Sequence, residues 1–117
     1  MDFLVERPLR EVLDTAETYM WLQGFHVSLS ERTETTSLFS RVYMPKKGFF
    51  GTLLSAFVEA PPPVQKIRLL ASDAGEGGTR LTVIESRQGQ LPEEWMEITE
   101  QLERWVIEEL GGTYWPL

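Results

Sequence analysis

The stretch VQKIRLLASDAGEGGTRLTVIE, residues 64–85, holds two runs of strand-forming residues around a glycine-rich centre. Val64 to Ser72 reads as one strand and Thr79 to Glu85 as the next, the second β-branched and alternating. Asp73-Ala74-Gly75-Glu76-Gly77-Gly78 between them reads as a turn, because its glycines accept positive φ. A hairpin of this kind must hide one face. The rest of the sequence shows what hides it.

On the C-terminal side, Gln88-Gly89-Gln90 leads to Pro92, a residue suited to the first turn of a helix. Trp95, Ile98, Leu102, Trp105, Val106 and Leu110 then form a wide apolar stripe, and Gly111-Gly112 ends it. The spacing predicts one long helix packed on the sheet. On the N-terminal side, Phe3 and Val5 point one way and Leu4 the other, in a short strand. Pro8 opens a helix expected over residues 8–23, with Leu9, Val12, Leu13, Ala16, Tyr19 and Met20 on its apolar face and Gly24 as its stop. Phe25, Val27 and Leu29 alternate with His26, Ser28 and Ser30, which predicts a half-buried strand. Glu31 to Glu34 reads as a turn, and Ser37 to Met44 as another strand. Leu38 and Val42 lie on one of its faces, Phe39 and Tyr43 on the other.

Between that strand and the hairpin, Pro45-Lys46-Lys47-Gly48 breaks the pattern, and Pro61-Pro62-Pro63 closes the interval stiffly. Inside it, Phe49, Phe50, Leu53, Leu54, Phe57 and Val58 form an apolar stripe on a short helix or compact loop. Each such side chain is worth about 1.5–3 kcal/mol when buried, so the segment must be covered by something. It reads as ordinary packing on the outer face of the sheet, as a lid over an apolar pocket, as a partner-binding face, or, with Lys46 and Lys47 beside it, as an interfacial membrane helix. The expected architecture is α+β: a curved antiparallel sheet on a long C-terminal helix, in the order β-α-β-β-(short α)-β-β-α, within one domain over residues 1–117.

Two resemblances attach to these residues. The opening FLVERPLREV, residues 3–12, and GTRLTV, residues 78–83, followed by a long amphipathic helix, resemble a START/polyketide-cyclase-like helix-grip domain. Such a domain wraps a curved sheet around its last helix and encloses an apolar cavity. The element count is closer to a shortened helix-grip, similar in topology to one TATA-binding-protein repeat. Size, acidity and element order are also similar to the dimeric chaperones of secretion systems.

Composition excludes some chemistry. The 117 residues contain no cysteine, so disulfides, thiolate metal sites and cysteine nucleophiles are ruled out. A formal charge of −7 repels phosphate backbones and anionic lipid, against nucleic-acid partners and membrane association. The start, MDFLVE, lacks a basic region and a long apolar run, which predicts a cytoplasmic protein.

His26 is the single histidine, on the polar side of its strand; a Ser/His/Asp set with Asp14 or Asp73 lacks a nucleophile elbow. Asp73 to Glu76 lacks calcium-loop spacing, and Gly75 to Gly78 opens no helix, so neither a metal nor a phosphate is expected there. The pairs Glu93/Glu94, Glu97/Glu100 and Glu108/Glu109 read as the solvated face of the last helix. Glu85 shares strand parity with Leu81 and Val83 and is expected to point inward, the acid best placed for a shifted pKa.

Trp21, Trp95 and Trp105 are expected to pack structurally, whereas Trp115 must dock back or meet a partner. The reading that follows is non-enzymatic, without cofactor or metal: a small apolar ligand held between sheet and helix. Phe49, Phe50, Leu53, Leu54, Phe57, Tyr43 and Trp115 are the expected contacts. The alternative is an acidic, homodimeric protein-binding module.

Overall fold

A computed structural model describes residues 1–44 and 62–115. Among the described residues the fold is α+β, with six antiparallel strands in one curved sheet and two α-helices. The elements are β1 (Asp2–Val5), α1 (Leu9–Leu22), β2 (His26–Val27), β3 (Thr36–Val42), β4 (Val64–Gly75), β5 (Gly78–Gln88), α2 (Ile98–Glu109) and β6 (Thr113–Tyr114). Short 3-10 turns occupy Leu29–Glu31 and Glu93–Glu97. The strand order is β2-β3-β4-β5-β1-β6. The short helix expected within residues 45–61, and its Phe49, Phe50, Leu53, Leu54 and Phe57, lie outside the described residues.

The β4–β5 hairpin forms the centre. Gly75 pairs with Gly78, leaving Glu76 and Gly77 as a two-residue turn with φ of 53° and 76°. Positive φ at both positions matches the right-handed twist of the flanking strands. Asp73 accepts a hydrogen bond from the Gly75 N–H at 2.8 Å across a register shift, so the turn explains these residues.

Both helices lie on one face of the sheet. The core joins Val12, Leu13, Ala16 and Met20 of α1 and Ile98, Leu102 and Val106 of α2 to the inward residues Phe3, Val5, Phe39, Ile67, Leu69, Leu81 and Val83. Tyr19 stacks on Trp105 with ring centres 4.4 Å apart, fixing helix to helix. Pro8 precedes the first turn of α1. Gly24, at φ 90°, ends the helix where the Phe25 N–H returns to the Met20 carbonyl at 3.0 Å.

Three expectations are corrected. The C-terminal helix is shorter than its apolar stripe, because Glu93–Glu97 is 3-10 and places Trp95 away from the core face of α2. The strand expected from Phe25 to Ser30 shrinks to His26–Val27, since the chain turns into a 3-10 helix and leaves Leu29 83% exposed. Trp21 does not pack; it is 67% exposed at the end of α1. Among the described residues, no helix is long and apolar enough to cross a membrane.

Candidate functional site

The sheet has two unlike faces. On the inner face, the apolar core stops at one end in a row of polar residues. Strand register places Arg41 beside Gln65 and Gln65 beside Arg87, with Glu85 one row further in. The fully buried Gln65 carboxamide accepts from Arg41 Nε at 2.8 Å. It donates to Glu85 Oε2 at 3.0 Å and to the Trp95 carbonyl at 2.9 Å. A buried amide with donors and acceptor all engaged fixes its neighbours' positions.

Glu85 points inward, as its parity predicts, and its side chain is 12% exposed. Burial pushes its carboxyl up, but hydrogen bonds from Arg87, Thr99 and Gln65 outweigh this and hold it below the usual carboxylate range. The carboxylate serves this network as an acceptor. The Arg41 guanidinium lies between two rings, 4.4 Å from the centre of Phe25 and 4.0 Å from that of Trp95, and also donates to the Gln23 carbonyl. Burial lowers its pKa and Glu85 partly restores it. Tyr43 meets Trp95 edge-on at 5.6 Å. The network joins the end of α1, three strands and the 3-10 turn before α2. Arg41 and Gln65 stood out in no motif; their inward parity on β3 and β4, beside apolar neighbours, was the signal.

On the outer face, which neither α1 nor α2 covers, Leu38, Arg68 and Ile84 form one cross-strand row, Leu70 lies in the next row, and Leu4 lies one row further toward the hairpin turn, beside Arg80. Leu4, Leu38 and Leu70 are half-buried and Ile84 is 47% exposed. Lys66, Arg68 and Arg80 surround them. Arg68 pairs with Glu31 at 3.3 Å and Arg80 with Asp2. Asp2 is held below the usual carboxylate range by its hydrogen bond from Arg80. The opposite side of the molecule differs sharply. Residues 93–109 carry seven acids against one base, a net −6 of the chain's −7. Six of these acids, including all three pairs, are exposed as expected.

The remaining expectations disperse. His26 is exposed on the outer face opposite Ser40. Asp14 is engaged by Arg32 at 3.0 Å and Asp73 by its own turn, so no triad assembles around His26. Trp115 docks back: its N–H donates to the Asp2 carbonyl at 2.9 Å and the Arg80 guanidinium lies 4.7 Å over its ring. Tyr43 and Trp115 therefore sit at different sites, the polar end of the inner face and the β1 edge.

Side chains fill the interface between sheet and helices. Phe3, Leu13, Met20, Ile67, Leu69, Leu81 and Leu102 are fully buried there. Two shallow surface depressions of about 320 Å³ each lie elsewhere. One is at the outer end of β4 and β5, around Lys66 and Ser86; the other is beside the hairpin turn, around Leu9 and Gly77. Among the described residues, no three His, Asp or Glu side chains converge as a metal ion would require.

No family model matches the chain, and no curated protein or solved structure shows significant similarity to it.

Proposed function

We propose that this chain is a non-enzymatic binding module of shortened helix-grip topology. Its working surface is the sheet face opposite the helices, and its partner is a protein segment rich in apolar and acidic side chains. The strand order supports the topology: β2 to β5 run as a meander, and β1 returns beside β5. That order is also the one expected of a single TATA-binding-protein-like repeat.

One observation carries the functional reading. The outer face presents Leu4, Leu38, Leu70 and Ile84 among Lys66, Arg68 and Arg80, on a chain whose helix side is strongly acidic. Completing the burial of those four side chains is worth on the order of 1 kcal/mol each, enough to favour a partner that covers them together. Arg68 and Arg80 are balanced by Glu31 and Asp2, so Lys66 leaves these residues a net charge of +1, which favours an acidic partner modestly over a basic one. The rival reading, a small apolar ligand held between sheet and α2, draws no support from an interface already filled by side chains.

The test is an NMR titration with a 12-residue peptide of alternating leucine and glutamate, and with its lysine counterpart. The acidic peptide is expected to shift the amides of Leu38, Arg68 and Ile84, and Lys66→Glu/Arg68→Glu to abolish the shifts. Equal binding of the lysine peptide, or shifts confined to α2, would overturn the proposal. Shifts confined to Phe39, Leu69 and Leu102 would return the ligand reading to first place.

A further inference from the structure

Strand register draws a polar row across four strands of the outer face. His26 of β2 lies opposite Ser40 of β3, Ser40 opposite Lys66 of β4, and Lys66 opposite Ser86 of β5. Side chains directly opposite on one face stand about 4.5–5.5 Å apart, so the four form a continuous line. Each can donate a hydrogen bond, and the register brings no carboxylate into the line. Among the described residues, Lys66 enters no ion pair, whereas Arg68, Arg80 and Arg87 are paired with Glu31, Asp2 and Glu85. One of the surface depressions of about 320 Å³ lies at this line, bordered by Lys66 and Ser86 together with Val64, Arg87 and Gln88. The rows on either side carry apolar side chains. Val42 and Val64 pair in one, and Leu38 and Ile84 flank Arg68 in the other. Val42 is 45% exposed and Ile84 47%. Neighbouring rows are two residues apart along each strand, about 6.6–6.8 Å, which is also the spacing of alternate side chains in an extended peptide.

We propose that the line of His26, Ser40, Lys66 and Ser86 is a carboxylate subsite. The segment bound on the outer face then carries an acidic side chain over Lys66, with apolar side chains two residues before and two residues after it. This inference rests on the outer face being the binding surface, and adds the order of side chains that the surface reads. Lys66 supplies one positive charge, and the hydroxyls of Ser40 and Ser86 flank it as donors to the two carboxylate oxygens. A carboxylate brings one negative charge and meets that balance, whereas a phosphate dianion leaves a charge unmet. The apolar side chains two residues away fall over Val42 and Val64 on one side and over Leu38 and Ile84 on the other. The pattern apolar-x-acid-x-apolar therefore suits either direction of the bound chain.

The test uses the full chain and an end-blocked peptide, Ser-Leu-Ser-Glu-Ser-Leu-Ser, titrated by NMR beside its counterparts with glutamine or phosphoserine in place of glutamate. The glutamate peptide is expected to bind about tenfold more tightly than the glutamine peptide, with the amides of Ser40, Lys66 and Ser86 shifting most. Lys66→Met should remove that preference, and Arg68→Met should keep it. Lys66 is exposed, and unchanged inner-face amides verify that its variant folds. Equal binding of the glutamate and glutamine peptides on the outer face, or a preference that survives Lys66→Met, overturns the subsite and leaves the binding surface standing. Binding of neither peptide overturns both. Tighter binding of the phosphoserine peptide overturns the choice of a carboxylate.

Discussion

The Arg41 guanidinium lies 4.0 Å over the Trp95 ring, and through it the 3-10 turn before α2 is tied to β3. Phe25 closes the other side at 4.4 Å. A partly desolvated cation between two rings is worth about 1–2 kcal/mol beyond its hydrogen bonds. A double-mutant cycle of Arg41→Ala and Trp95→Ala is expected to show a coupling of that size in urea unfolding. Arg41→Lys should lose most of it, because an ammonium offers no planar face to stack. A coupling near zero would mean that the rings merely flank the cation.

Gln65→Leu removes the bridge while keeping the volume. Glu85 and Arg41 each lose a partner at a buried position, and the Trp95 carbonyl loses its donor. The expected loss is about 2–3 kcal/mol, read as a shift in the urea midpoint. The restoring change is not a further apolar residue but Gln65 itself.

Acid should weaken the same region first. Folding lowers the pKa of Glu85 below its ordinary 4.5, so over that interval the folded chain binds fewer protons than the unfolded one. The carboxylate's contribution is present in full above the unfolded value and is lost as pH falls through the lower folded value. Unfolding midpoints measured from pH 7 down to about 3 should therefore drop less steeply for Glu85→Gln than for the parent chain. Parallel profiles would show that Glu85 is not stabilised as an anion. Asp2, lowered by Arg80, adds a slope of the same sign that both proteins retain.

Gly112 needs its hydrogen. A Cβ there would stand 2.7 Å from Val106 Cγ1 and 3.1 Å from the Val106 carbonyl oxygen. Gly112→Ala is expected to cost about 1–3 kcal/mol in thermal or urea unfolding through overpacking against α2. Gly111 has no atom within 4 Å of the same position, so any cost of Gly111→Ala comes from its positive φ alone.

Trp21 makes the opposite case. Its exposure predicts that Trp21→Ser changes stability by no more than about 0.5 kcal/mol. A larger loss would show that the ring packs on something in solution.

The hairpin, the apolar face of α1 and the inward parity of Glu85 are all legible in the sequence, because period 2, period 3.6 and the turn glycines are local signals. The strand expected after Phe25 was misread for a physical reason. Alternation continued through Leu29, but hydrogen bonds from the Glu31 and Arg32 N–H groups to Ser28 and Leu29 turn the chain away from β3. Trp21 is expected to pack as a large aromatic ring, but it falls outside the apolar spacing of α1, one position beyond Met20, and stays exposed. The polar row Arg41–Gln65–Arg87 was hidden because its partners come from three strands, and only strand register brings them together. Of the two expectations for Trp115, docking back or meeting a partner, the structure shows the first: it docks on the edge of β1 under Arg80.

The place of β1 between β5 and β6 also sets an order of assembly. β2 to β5 join neighbours in sequence, whereas β1 must wait for Leu81 and Thr82, nearly 80 residues downstream, before it has a ladder to enter. Closing so long a loop is the slow step of a sheet like this. The earliest strand of this sheet is thus expected to be locked in late. Until then, the apolar side chains of Phe3 and Val5 stand open to any helper that shields nascent chains.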